Sequence, residues 1–106
     1  MPGPSNKAPR GYVGIVSAEI HFAEAGSLKS KRMHLRRMRD TLTRRHGASF
    51  AEVGYQDLWQ RSQVVLALCA SDPRVLEASL AAAVGYLDSQ DWELVRVNEE
   101  VVEVDA

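Results

Sequence analysis

The stretch YVGIVSAEIHF (residues 12–22), followed by SLKSKRMHLRRMRDTLTRRH (residues 27–46), decides the fold. In its first part, apolar and polar residues alternate from Val16 to Phe22, and this period of two predicts a half-buried strand over residues 12–22. Ser27 is a good N-cap for a helix through about residue 46, and Gly47 stands where a C-cap belongs. The helix carries an apolar stripe at helical spacing: Leu28, Leu35, Met38 and Leu42.

The rest of the chain predicts three more strands and one more helix. Short alternating runs predict strands at residues 48–54, 61–70 and 92–104. Asp72 and Pro73 begin the second helix, because an aspartate caps well and the first turn does not need the proline's missing amide. The buried stripe of this helix comprises Leu76, Leu80, Ala83 or Val84, and Leu87.

The resulting order βαββαβ is that of the ferredoxin-like split unit. Right-handed crossovers then predict a four-stranded antiparallel sheet with the spatial order 4-1-3-2. Both helices cover one face of this sheet, and the other face stays open. The fold class is therefore α+β in two layers.

Length and composition limit the organisation of the chain. With 106 residues, 45% hydrophobic and 25% charged, it holds one globular domain, predicted over residues 11–106. Residues 1–10 contain three of the four prolines and are predicted to be a disordered tail.

No apolar run reaches the roughly 20 residues that span a bilayer, so no membrane partner is expected. One cysteine, Cys69, and the lack of an apolar leader indicate the cytoplasm.

The net charge of −1 hides a strong segregation of charge. Residues 29–45 contain eight basic residues against one acidic, whereas residues 88–106 contain seven acidic against one basic. Such asymmetry is typical of a surface that binds a polyanion or of complementary association. The alternative is that the basic residues form only the solvated face of a helix, and that the acidic residues protect an edge strand from pairing with other chains. The pI near 6.3 also differs from the values above about 9 that dedicated nucleic-acid binders show.

The predicted topology brings two motifs to one end of the molecule. These are the helix start SLKSKR (residues 27–32) and the connection YQDLWQ (residues 55–60). Lys31 falls on the apolar seam of the helix, where it either helps to bind an external anion or is satisfied by Asp57 or a backbone carbonyl. Trp59 either packs over the end of the core or forms a stacking platform for a base or a protein.

These observations select two sets of candidate residues. The candidate polyanion-binding residues are Lys29, Lys31, Arg32, Arg36 and Arg37. The residues at the rim, in or beside the connection, are Gln56, Asp57, Trp59 and Arg61. The two histidines of the basic helix, His34 and His46, are expected to be solvated.

The sequence shows no catalytic constellation. No nucleophile has a base nearby in sequence, no carboxylates converge, and no metal-ligand spacing occurs, so we expect neither enzyme activity, nor a metal, nor a cofactor. The open sheet face instead presents a mildly apolar set that would suit a homodimer. This set comprises Val13, Ile15, Val65 and Ala67.

Three motifs together resemble the YlxP-like family of small bacterial proteins, a family of unknown function. They are YVGIVSAEIHF, SLKSKR and AEVGYQDLWQRS (residues 51–62), and the resemblance extends over about residues 11–104. It implies a ferredoxin-like fold and no established enzyme activity. The family's genes commonly lie beside those for translation initiation and ribosome maturation, which implies a ribosome-linked role.

We therefore expect a non-enzymatic module that associates with RNA or a ribosomal particle through the basic helix. Phosphate contacts would then dominate the affinity and make it sensitive to salt. The alternative is a homodimeric protein-interaction domain that uses the open sheet face.

Overall fold

The computed structural model describes residues 9–106 and contains six elements. In chain order these are β1 Arg10–His21, α1 Leu28–His46, β2 Ser49–Gly54, β3 Arg61–Ala70, α2 Pro73–Asp88 and β4 Glu93–Asp105. The predicted tail lies outside the described residues as far as residue 8. Arg10, the last residue of the predicted tail, instead begins β1, and the carbonyl of Pro9 accepts a hydrogen bond from the amide of Ala106 at 3.0 Å.

The four strands form one antiparallel sheet in the order β2-β3-β1-β4. This is the predicted ferredoxin-like arrangement, and the α+β fold class is confirmed. β1 and β3 are the two central strands, whereas β2 and β4 are the edges. Small register shifts interrupt the β1–β4 ladder after Glu19 and the β2–β3 ladder after Glu52.

The core lies between the sheet and the two helices. Val16, Ala18 and Ile20 of β1 alternate with half-buried residues, so every second side chain points towards the helices. The predicted seams of both helices are buried, apart from Leu28, which is only partly covered. Gly14 allows the closest approach, because a Cβ atom there would lie 2.7 Å from both δ-carbons of Leu80.

The predicted caps begin and end the helices. The Ser27 hydroxyl accepts a hydrogen bond from the amide of Ser30 at 3.0 Å, and the Asp72 carboxylate accepts one from the amide of Arg74 at 2.8 Å. Gly47 adopts a left-handed conformation with φ of 66°, which a glycine adopts without steric cost. Its amide donates to the carbonyl of Leu42, which satisfies one of the free carbonyls at the end of α1.

Trp92 differs from its prediction, because it precedes β4 instead of beginning it. Its indole is buried, and its Nε1–H donates to the carbonyl of Leu87 at 2.8 Å near the end of α2. Phe22 likewise lies beyond the end of β1, and its ring stacks on His34 with centroids 5.5 Å apart. The prediction that His34 is solvated is therefore wrong, since its imidazole is half-buried between Phe22 and Trp92.

Within residues 9–106, neither helix is long and apolar enough to cross a membrane.

Candidate functional site

The fold brings the start of α1 and the connection between β2 and β3 together, as the topology predicted. The Lys31 Nζ donates a hydrogen bond to the backbone carbonyl of Tyr55 at 2.7 Å. This contact spans 24 residues of sequence and ties the connection to the helix. The two motifs therefore form one continuous surface at this end of the molecule.

Lys31 is satisfied inside the protein. Its side chain is only 1% exposed, and its Nζ lies 2.9 Å from the Glu52 Oε2. The same carboxylate oxygen accepts a hydrogen bond from the buried Ser62 hydroxyl at 2.6 Å. Of the two partners predicted for Lys31, the backbone carbonyl is confirmed, whereas Asp57 is wrong, because Glu52 is the carboxylate that pairs. Lys31 is therefore not a residue that an external anion can reach.

The connection from Tyr55 to Gln60 is held at several points. Tyr55 adopts a left-handed conformation with φ of 57°, and its carbonyl also accepts from the Leu58 amide at 3.0 Å, which closes a turn. The Gln60 side-chain amide donates to the carbonyls of Ala23 and Ala25 at 3.1 and 3.3 Å. The backbone of the loop is consequently anchored both to α1 and to the turn that follows β1.

Trp59 does not pack over the core, because its side chain is 53% exposed. The neighbouring Leu58 is also exposed, and a shallow recess of about 380 Å³ runs along the connection from Asp57 to Arg61. Exposed aromatic rings on a rigid loop are suited to stacking on a base or to anchoring a partner. The side-chain amide of Gln56 donates a hydrogen bond to the carbonyl of Glu52 at 3.4 Å.

Arg61 is engaged within the sheet. Its Nε donates to the Glu19 Oε2 at 2.8 Å, and its guanidinium lies 4.1 Å from the centroid of the Tyr55 ring. The hydrogen bond to Glu19 is the main cause that raises the pKa of Arg61 above its ordinary value. Arg61 thus orients the Tyr55 ring more directly than it offers a free charge to a ligand.

The basic residues of α1 differ in what they contact. Arg37 donates to the Asp91 Oδ1 at 3.2 Å, and its guanidinium lies 5.6 Å from the centroid of the Trp92 ring. In contrast, Lys29, Arg32 and Arg36 are exposed and have no carboxylate within ion-pair distance among the described residues. Of the five predicted polyanion-binding residues, these three remain available to an external anion.

A groove separates this row of cations from the edge of the sheet. Its helix wall contains Arg32, Arg36 and Arg39, and its strand wall runs from Phe50 to Glu52 of β2. The groove has a volume of about 260 Å³. It combines fixed positive charge with the free edge of a strand.

The open face of the sheet carries the predicted apolar set. Ile15 pairs with Ala67 and Val13 pairs with Cys69 across the two central strands, and all four predicted residues are half-buried by their neighbours. The β4 register places Val102 opposite Val13 and therefore extends this patch. Within residues 9–106, no three histidine, cysteine, aspartate or glutamate side chains lie close enough together to hold a metal ion.

Comparison with known proteins identifies the family. The model of a family described as "Protein of unknown function (DUF503)" matches residues 13–100. The chain belongs to this family. A relative, "Uncharacterized protein YlxP" of Bacillus subtilis (strain 168), is 34% identical over 77 residues, which are 73% of this chain and 84% of the relative. The resemblance to YlxP-like proteins is thereby confirmed, and neither description states a function.

Among solved structures, the de novo designed protein Foldit4 matches 91% of this chain and 98% of its own length. The TM-score is 0.49 and the sequence identity is 10%.

Proposed function

We propose that this DUF503 protein is a non-enzymatic, cytoplasmic module that binds RNA on a ribosomal particle through the exposed cations of α1. One observation carries the proposal: Lys29, Arg32 and Arg36 lie on one side of the helix without a carboxylate partner among the described residues. The non-enzymatic part rests on the sequence, in which no nucleophile has a base nearby.

The position of these cations favours an external anion. The helix dipole is positive near the N-terminus of α1, so a cation in the first turn, here Lys29, is disfavoured by a few tenths of a kcal/mol. The first turn of α1 contains no acidic residue that would offset this cost. A phosphate backbone lying along Lys29, Arg32 and Arg36 would supply the missing negative charge.

The connection beside the helix adds a second kind of contact. Trp59 is 53% exposed and lies on a loop that the hydrogen bond from Lys31 to the Tyr55 carbonyl ties to α1. Stacking of an unpaired base on such a ring contributes affinity without demanding a particular sequence. Cations for phosphates together with an aromatic ring for a base favour RNA with unpaired positions.

The test is a salt titration of binding to purified ribosomal subunits and to their extracted RNA. The variant Lys29→Glu/Arg36→Glu removes two exposed cations, and Arg74→Glu/Arg96→Glu changes the net charge equally at exposed positions elsewhere. We expect the first variant to bind at least tenfold more weakly at low salt. Its salt slope should fall by about 1.5, since each phosphate contact contributes roughly 0.7 to 0.9.

The control variant should keep both the affinity and the slope of the wild-type protein. Equal weakening by both pairs would mean that only net charge matters. Unchanged binding of Lys29→Glu/Arg36→Glu, or no binding of the wild-type protein at low salt, would reject the proposed RNA surface.

A second candidate function is a homodimeric interaction module that uses the open face. The supporting observation is the continuous apolar patch of Val13, Ile15, Val65 and Ala67, extended by the 38%-exposed Val102. Val65→Glu would then convert a dimer into an 11.7 kDa monomer in light scattering, whereas Val75→Glu on the exposed side of α2 would not. A wild-type monomer at high concentration contradicts this candidate.

A further inference from the structure

We propose that the two edges of the sheet bind each other between copies, so that β4 of one copy extends the sheet beside β2 of the next. The partner is a second copy of this chain in a head-to-tail arrangement. This inference does not rest on the proposed RNA binding. It follows from strand direction, register and charge at the two edges.

Strand direction permits the contact. Each neighbouring pair in the order β2-β3-β1-β4 is antiparallel, so β2 runs opposite to β4. A copy placed beside the sheet with its helices on the same side therefore presents β4 antiparallel to β2. Both strands have one unpaired side among the described residues, and unpaired strand edges are templates for further pairing.

The register identifies which residues would meet. Phe50 of β2 pairs with Leu66, Leu66 pairs with Val16, and Val16 pairs with Glu99 of β4. These four residues form one row across the sheet on the side of the helices. Continuation of the sheet without a shift brings Glu99 of the neighbouring copy beside Phe50. Glu99 would then enter the groove whose helix wall contains Arg32, Arg36 and Arg39.

The two edges carry opposite charges. Between α2 and β4 lies a groove of about 640 Å³ with Leu80, Val84 and Val101 in its walls. Its carboxylates are Glu77, Asp88 and Glu99, and none of them forms an ion pair within residues 9–106. The acidic groove of one copy and the arginine groove of the next would face each other across the new strand pair.

Charge also selects this contact over the other edge contacts. Two β4 edges would bring carboxylates together, and two β2 edges would bring arginines together, so like charges oppose both symmetric pairings. Only the contact between β4 and β2 joins opposite charges. The net charge of −1 leaves little overall repulsion between copies.

A contact of this type is heterologous, because each copy uses a different surface towards each neighbour, and it builds a chain or a ring. This property allows a mixing experiment. The variant Arg32→Glu/Arg36→Glu reverses the charge of the basic edge, and Glu77→Lys/Glu99→Lys reverses the charge of the acidic edge. In each variant alone, every contact between copies joins like charges. In a mixture of the two variants, both kinds of contact again join opposite charges, so the two variants alternate and association is restored.

The experiment is sedimentation equilibrium at low ionic strength over a range of concentrations. We expect the average mass of the wild-type protein to rise above 11.7 kDa with concentration. The rise should disappear well above 0.1 M salt, where the Debye length falls below about 10 Å. Each variant alone should remain monomeric, and the average mass of the equimolar mixture should again rise with concentration. Far-UV circular dichroism confirms that both variants are folded.

Three results would overturn the proposal. One is a wild-type protein that stays monomeric at every concentration at low salt. Another is association that both variants retain, which would assign self-association to the open face. The last is a pair of monomeric variants that do not associate when mixed, because a head-to-tail contact requires that they do.

Discussion

Replacement of Lys31 by methionine should destabilise the protein strongly. Methionine keeps the length and volume of the apolar stem but removes the ammonium group that contacts both Glu52 and the Tyr55 carbonyl. The Glu52 carboxylate would keep its hydrogen bond from Ser62 but would lose its counter-charge. The Tyr55 carbonyl would lose the donor that ties the connection to α1.

The structure sets the size of this effect. Removal of one partner from a buried ion pair costs about 3–5 kcal/mol, because the other charge is left alone. Here Lys31 is 1% exposed, but Glu52 is 20% exposed, so water reaches the remaining carboxylate. We therefore expect a loss of about 2–3 kcal/mol, below the full range for a buried pair. In a domain of this size the melting temperature should fall by about 10–20 °C.

Urea denaturation followed by circular dichroism measures the effect, and two variants complete the design. Addition of Glu52→Gln to Lys31→Met should recover part of the loss, because glutamine has no charge and still accepts from Ser62. Asp57→Ala is the matched control and should change stability by no more than about 0.5 kcal/mol. A loss below about 1 kcal/mol for Lys31→Met, or no recovery in the double variant, would refute the buried-pair interpretation.

Two further substitutions test the packing of the core by the same denaturation assay. Gly14→Ala should lower the free energy of unfolding by about 1–3 kcal/mol, because the added Cβ would lie 2.7 Å from both δ-carbons of Leu80. An unchanged urea midpoint would contradict this and show that Leu80 moves away freely. Trp92→Phe should lower the free energy of unfolding by about 1–3 kcal/mol, because the hydrogen bond to the Leu87 carbonyl is lost. Trp59→Phe should change it by no more than about 0.5 kcal/mol, because Trp59 is exposed. Equal effects of the two substitutions would contradict the different burial of the two tryptophans.

The sequence was sufficient to predict the strands, helices and topology because local patterns determine them. Alternation in β1 and the caps at Ser27, Gly47 and Asp72 were each confirmed. The exact ends of the strands are more difficult to predict, because the alternation of apolar and polar residues does not show where hydrogen-bonded pairing stops. The pattern therefore predicts that Trp92 begins β4, although its indole packs at the end of α2.

The alternation of inward and outward residues in β2 could have identified Glu52 as the partner of Lys31. The helical spacing correctly placed Lys31 on the buried seam of α1. Phe50 and Glu52 are two residues apart in β2, so an inward Phe50 also turns the Glu52 carboxylate towards the helices. Asp57, the carboxylate predicted to pair with Lys31, lies in the connection between β2 and β3 and is exposed. The alternation of β2 therefore contained the signal for Glu52.

The count of charges in α1 could not show which cations are free, because their partners are distant in sequence. Lys31 pairs with Glu52 of β2, and Arg37 pairs with Asp91 after α2. These pairs depend on how the elements pack, so no local pattern contains them. The pair of Lys31 is buried, whereas Arg37 stays on the surface beside the carboxylate of Asp91. Of the five predicted polyanion-binding residues, Lys29, Arg32 and Arg36 are the three without a carboxylate partner among the described residues, and only the packed structure separates them from Lys31 and Arg37.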